Sequence, residues 1–254
     1  MRRYPLLFLF LLLFGGCAHH QGIGAFDSKD HASIADSLDQ DDSYLDELYE
    51  KQLIPDPLEP WNRAMFVFND GLITYVGRPL STAYTTVTPA SFREGVGNFF
   101  NNLLFPVRFV NNLLQGKGSR AGQEFGKFII NTTAGLGGFV NYTGLNHPEL
   151  SSIDNEDFGQ TLGVWGMSGG LYLYWPLLGP STGRDTIGLV GDWAANPITW
   201  VPPWWAPWAL NGFKTINELE GILDVYDDVN KSAIEPYTAI RDAYVQYRRA
   251  KIAK

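Results

Sequence analysis

Asp56-Pro57-Leu58-Glu59-Pro60-Trp61-Asn62-Arg63 opens the stretch that decides the fold, because helical periodicity starts inside it and recurs to the end of the chain. Trp61, Met65, Phe68, Leu72 and Tyr75 return at intervals of three and four, and Phe66 and Val67 widen the stripe beyond a narrow seam. Proline ends such a run, so Pro79 is expected to stop this helix. A second helix is expected near Thr88-Pro89, where Thr88 can cap and proline suits a first turn, carrying Phe92, Val96, Phe99, Phe100 and Leu103. Phe105-Pro106 breaks it, and Val107, Val110, Leu113 and Leu114 carry the pattern on to Gly116. Residues 119 to 131 read as another helix, with Phe125, Phe128, Ile129 and Ile130 near one side. At the far end Leu219, Ile222, Leu223, Tyr226 and Val229 make one stripe. Ile234, Tyr237, Ile240, Tyr244 and Tyr247 make the next, around a Glu235-Pro236 start. Residues 56–254 are thus expected to form one all-α domain with irregular Gly-rich and Trp/Pro-rich loops.

The loops carry their own signals. Gly135, Gly137 and Gly138 follow the helix that ends near Asn131, and they fit a hinge, a close helix crossing or a plain turn. Their spacing lacks the pattern of a phosphate or dinucleotide loop. Between residues 158 and 191 frequent glycines argue against one long helix, and Leu171-Tyr172-Leu173-Tyr174-Trp175 can be extended or a short membrane-facing helix. From Trp193 to Trp208 five tryptophans meet four prolines. Indole joins an apolar face to one donor, so Trp200, Trp204, Trp205 and Trp208 are candidates for the boundary between water and lipid headgroups; a protein surface groove, or burial of the rings by one another, is the alternative. Arg248, Arg249, Lys251 and Lys254 close the chain, and complementing the carbonyl end of the last helix is reason enough for them.

Upstream of Asp56 the character changes. Nine acidic residues stand between Asp27 and Glu50 against Lys29 alone. Residues 18–55 are therefore expected to be an acidic tether, with a short helix around Leu45, Leu48, Tyr49 and Leu53. Residues 1–17 read as a secretory leader: Arg2-Arg3, an apolar run from Leu6 to Phe14, then Gly15-Gly16-Cys17. Cys17 is the only cysteine of the chain and stands where cleavage and acylation are expected, which makes it the candidate lipid anchor; a plain leader with an incidental cysteine is the alternative.

Losing Arg2 and Arg3 with the leader leaves 17 basic against 27 acidic side chains, an excess that argues against nucleic acid as a partner. The four histidines, His19, His20, His31 and His147, include no pair at metal-ligand spacing on a helix, so no metal is expected. Gly166-Met167-Ser168-Gly169 places its serine one position too early for a nucleophile elbow. Arg184-Asp185 reads as an ion-paired turn. No enzyme and no cofactor are expected, apart from the covalent lipid.

Several motifs recur in order: Asp56 to Arg63 with Met65-Phe66 and Phe68-Asn69, Asn98-Phe99-Phe100, and Asn111-Asn112-Leu113-Leu114-Gln115-Gly116. Asn131-Thr132-Thr133, Phe158-Gly159-Gln160-Thr161-Leu162-Gly163, and Gly179-Pro180-Ser181 with Arg184-Asp185 complete them. Together they resemble the VacJ/MlaA lipoproteins over nearly all of the chain from Asp56. That resemblance implies a ring-like helical domain embedded in the membrane interface, mainly in the inner leaflet of the outer membrane, often beside a trimeric porin. It implies removal of mislocalised phospholipid from the outer leaflet through a central channel. The lipid passes to a periplasmic carrier of the Mla type, which serves an inner-membrane MCE/ABC complex, so that lipid asymmetry is maintained. A structural lipoprotein that binds porins without moving lipid is the alternative.

A phospholipid route needs polar surface beside apolar surface. Asn62, Met65, Asn69, Asn98 and Asn101 are accordingly candidates for the channel wall or for contacts between helices. By the same resemblance, the hinge would fall at Gly135, Gly137 and Gly138. The chain departs from the family at Gly170-Leu171-Tyr172, where a proline commonly precedes the tyrosine. It departs also at Asn141, where an aspartate is common, so no salt bridge is expected there.

Overall fold

In a computed structural model, residues 56–151 and 154–254 are described; the leader, Cys17 and the short helix expected around Leu45 to Leu53 lie outside them. Helix α1 (Glu59–Leu72) starts with Pro60 in its first turn and runs without interruption into a π-helical segment, Ile73–Gly77. Helix α2 (Arg78–Val87) then follows directly. Pro79 does not stop the chain as expected. The Arg78 N–H bonds to the carbonyl of Ile73, five residues back, and this wider turn places Pro79 in a new first turn that needs no donor from it. Thr88 also differs from expectation. Its hydroxyl donates to the Tyr84 carbonyl at 2.6 Å and closes α2, while α3 (Ala90–Leu103) begins behind Pro89.

Helices α4 (Phe105–Leu114) and α5 (Gly118–Thr133) form a hairpin in which Phe105 stacks on Phe128, with centroids 4.4 Å apart. Two short helices, α6 (Tyr142–Asn146) and α7 (Pro148–Ser151), lead to α8 (Phe158–Val164). The aromatic run is extended: β1 (Tyr172–Trp175) pairs antiparallel with β2 (Gly179–Thr182), in register Tyr172 to Thr182 and Trp175 to Gly179. Alternation along β1 buries Tyr172 and Tyr174 and leaves Leu173 and Trp175 half-buried. This hairpin is the exception to an otherwise helical fold.

Helix α9 (Gly183–Ala195) follows at once, capped by the Thr182 hydroxyl, so Arg184 and Asp185 stand in a helical first turn and not in an isolated one. A 3-10 turn, Pro197–Trp200, precedes α10 (Ala206–Ser232), whose first turn holds Trp208; only Trp204 and Trp205 remain in irregular chain. At 27 residues α10 is about 40 Å long. Tyr84 Oη donates to the Asn217 side chain at 2.8 Å, and Asn217 Nδ2 donates to the Arg93 carbonyl at 3.0 Å, joining α10 to α2 and α3. The last helix, α11 (Pro236–Ile252), begins at the Glu235-Pro236 start that the sequence predicts, and the Glu235 side chain caps it. Two small apolar clusters form: Val96, Phe100 and Ile198 in one, and Tyr172, Tyr174 and Tyr237 in the other.

Candidate functional site

Asn62 and Asn69 lie two helical turns apart on α1, so both face β1. Asn62 Nδ2 donates to the Tyr172 carbonyl at 3.1 Å and its Oδ1 accepts from the Tyr174 N–H at 2.8 Å. Asn69 repeats the arrangement with the Trp175 carbonyl and the Leu177 N–H, both at 2.9 Å. A strand has free groups along its outer edge, and here two amides satisfy them where a third strand would. Met65 sits between the two asparagines against the tyrosine cluster. On α3, Asn98 donates to the Phe139 carbonyl at 3.4 Å, and the carbonyl and side-chain oxygens of Asn101 accept from Arg108 at 2.9 and 3.1 Å. All five candidates lie where elements meet.

Charge fills the interior. Arg248 bonds two carboxylates at once, Asp157 through Nη2 at 2.9 Å and Asp185 through Nε at 3.0 Å and Nη2 at 2.8 Å. Tyr244 Oη donates to Asp185 at 2.7 Å. Burial alone would raise both acids, yet the guanidinium holds Asp157 and Asp185 below the usual carboxylate range. Gly159 explains part of its motif here, since a Cβ on it would stand 2.6 Å from Asp185 Oδ1 and 2.7 Å from Arg248 Nη2. Arg108 pairs with Glu124 at 2.9 Å, and Lys117 with Glu156 at 2.9 Å, each acid buried. Arg248 and Lys251 are therefore internal ion-pair partners, whereas a basic chain end reads in sequence as solvated and dipole-complementing. Asp192 differs from its neighbours. It accepts from the Phe158 N–H at 2.9 Å and Asn111 Nδ2 at 3.1 Å, but burial pushes its carboxyl up to about 6.

The surface has the opposite character. Among the described residues, buried polar or charged side chains outnumber buried apolar ones about two to one. Large apolar groups face outward: Phe68, Tyr75 and Val76 from the first helical run, Phe125 and Ile129 from α5, Leu177 and Leu178 at the hairpin tip, Val190 and Trp193 from α9. Trp204 is 83% exposed and Trp208 77%, with Trp200 and Trp205 also open. Trp200 Nε1 donates to the Ala194 carbonyl at 3.1 Å, so its ring is fixed while exposed. So many exposed large apolar side chains beside a polar interior are unusual for a water-soluble monomer. No helix among the described residues is long and apolar enough to cross a membrane.

The three candidate hinge glycines differ. A Cβ on Gly135 would lie 2.2 Å from the Val140 carbonyl oxygen, and one on Gly138 would lie 2.5 Å from the Asn102 side chain. Both are close-packed. Gly137 has φ +73° and open space beside it. Asn141 caps α6 by accepting from the Gly144 N–H at 3.0 Å, a role its amide fills without the aspartate common in the family.

Sequence reasoning did not single out Arg108, Glu124, Glu156, Asp157 or Asp192, because nothing local marks a charge as buried. The motif glycines were the available signal, since Gly159 is required by what it faces.

Comparisons with known proteins agree on one family. The family model of the MlaA lipoprotein matches residues 54–251. The intermembrane phospholipid transport system lipoproteins MlaA of Shigella flexneri and Escherichia coli are each 35% identical over 194 residues, 75% of this chain and 76% of theirs. The MlaA lipoprotein of Haemophilus influenzae is 33% identical over 204 residues, 78% of this chain and 79% of its own. A solved structure described as the structural basis for maintenance of bacterial outer membrane lipid asymmetry superposes with a TM-score of 0.67 at 32% identity, covering 78% of this chain and 99% of its own. The chain belongs to the MlaA lipoprotein family.

Proposed function

We propose that this protein removes mislocalised phospholipid from the outer leaflet of the outer membrane, through a central channel in a ring-like body, and passes it to a periplasmic carrier. The observation that carries the reading is the inverted burial, with ion pairs and amides inside and large apolar side chains outside. Such a body suits a hydrocarbon surround, and with no spanning helix among the described residues we assign it to one leaflet, the inner one, with Trp200, Trp204, Trp205 and Trp208 at the headgroup level. Cys17 would add the covalent lipid. A trimeric porin would stand beside the body, and the carrier would serve an MCE/ABC complex in the inner membrane. Lipid passage needs no bond made or broken, so the protein acts without catalysis and without a cofactor.

The test is outer-leaflet phospholipid in a deletion strain, before and after restoring this chain. Deletion should raise surface phospholipid, and restoration should return it to the wild-type level. Surface phospholipid that is the same in both strains, while the porin's envelope association depends on this chain, would overturn lipid retrieval in favour of a structural role.

A further inference from the structure

Helix α10 is held in two different ways along its length. Its first half is anchored: Ala206 is buried, Leu210 packs on the Val96, Phe100 and Ile198 cluster, Phe213 meets the rings of Tyr84 and Phe100, and Asn217 bonds to α2 and α3. No residue of its second half, 218–232, is buried. That half rests on α2 through Arg78 with Asp227, whose side chains are 40% and 31% exposed, and on α3 through Arg93 with Glu220, whose carboxylate is 53% exposed. Tyr226 adds a hydrogen bond to Asp70 of α1. Pairs this open hold weakly, whereas Arg108 with Glu124 and Arg248 with Asp185, which join other helices, are buried. A cleft of about 230 Å³, lined by Arg78, Ser81, Glu220 and Leu223 among others, lies between this half and α2.

Two joints bound the loosely held half. Gly221 stands inside the helix, where glycine is less favourable than alanine, and a Cβ there would meet nothing within 4 Å, so packing does not require it. At the other end Ala233 and Glu235 are extended, between Ser232 and the start of α11. On the facing run the π-helical segment Ile73–Gly77 ends directly before Arg78, a departure from α-helix of the kind that recurs at functional sites.

We infer that residues 222–232 form a strap that swings between these two joints, with the Arg78–Asp227 pair as its latch. Swung out, the strap widens the cleft; swung in, it closes the cleft. Resting on the lipid-transfer reading, the strap is a movable wall past which a lipid goes. Charged and hydroxyl side chains line the cleft and suit a head, and the strap itself carries exposed Ile222 and Val225, which suit tails.

The full chain is reconstituted in phosphatidylglycerol vesicles with spin labels at Ala83 on α2 and Asp228 on the strap, both exposed, and the distance between them is read by pulsed electron paramagnetic resonance. Wild type should show a short and a long population. Arg78→Gln, or salt at about 1 M acting on the exposed latch, should move molecules to the long one. Gly221→Ala should move them to the short one by about fivefold, the factor that alanine is worth over glycine inside a helix, while raising the melting temperature. A cleavable thiol bridge between Arg78→Cys and Asp227→Cys should stop phospholipid transfer from these vesicles to the periplasmic carrier, and cutting it should restore transfer. One distance, unmoved by Arg78→Gln, salt and Gly221→Ala, would overturn the strap. Two distances, with full transfer by the bridged protein, would overturn its part in lipid passage. Two distances that respond as expected, with no transfer by wild type, would keep the strap and overturn the lipid-transfer reading.

Discussion

Replacing Arg248 with methionine removes the guanidinium that bonds Asp157 and Asp185 and keeps most of the side-chain volume. Breaking a buried pair by removing one partner costs about 3 to 5 kcal/mol, because the remaining charge stays buried. Asp157 is 33% open to solvent and supplies the weaker half, while Asp185 keeps Arg184 and Tyr244, so the lower end, about 3 kcal/mol, is expected. For a domain of this size that is roughly 10 °C in melting temperature. The sign with pH separates charge from packing. Both aspartates are held low in the wild type, so their contribution is present above the unfolded value of about 4 and is lost as pH falls through the folded values. In Arg248→Met the depression is gone, so the gap between the two proteins should stay full from pH 7 to about 4 and close as pH falls below that, through the folded values. The assay is thermal unfolding of detergent-solubilised protein, followed by far-ultraviolet circular dichroism across that range. A gap that stays constant as pH falls below about 4 would refute the electrostatic account and leave only lost packing.

Asp192 should act with the opposite sign. Its folded value of about 6 exceeds the unfolded one, so the folded state holds a proton that the unfolded chain releases, and stability falls between about pH 4 and 6. Asp192→Asn keeps an acceptor for the Phe158 N–H and should gain about 1 to 2 kcal/mol at pH 7 while flattening that slope in the same melts. Gly137→Val should slow lipid transfer from a bilayer to the periplasmic carrier more than it lowers folding, as a hinge requires, whereas Gly138→Ala, facing Asn102, should lose both together; full transfer by folded Gly137→Val would reject the hinge. A photocrosslinker at Trp204 or Trp205 should label phospholipid, and labelling of protein alone would remove the tryptophans from the membrane boundary.

The helices were legible because their stripes repeat at three and four residues whatever medium they face. The same pattern does not say which stripe points inward. Phe68 and Tyr75 belong to a clean apolar series and are exposed, while Asn62 and Asn69, on the polar side of that helix, are buried. The period is a property of the helix, and the direction belongs to the surroundings. Pro79 misled for a related reason: its local meaning is a stop, but a π turn five residues long absorbs the missing donor and leaves the run continuous. Arg248 was visible as a basic residue near a terminus. Its two carboxylates lie 63 and 91 positions earlier, a separation that no local spacing reports.

The inverted pattern also explains why ion pairs, and not a large apolar core, join these elements. Apolar side chains gain little from leaving hydrocarbon for a protein interior, so an envelope-embedded body cannot hold its helices together chiefly by burying them. Directional contacts must do more of that task, and the interior here supplies them at each junction: Arg108 to Glu124 between α4 and α5, Arg248 to Asp157 and Asp185 among α11, α8 and α9, and Asn62 and Asn69 between α1 and the hairpin. These partners share no single centre, so losing one pair should loosen one junction and leave the others formed. The lipid route proposed above would suit this arrangement, because a continuous apolar core would close the polar path that a charged head requires.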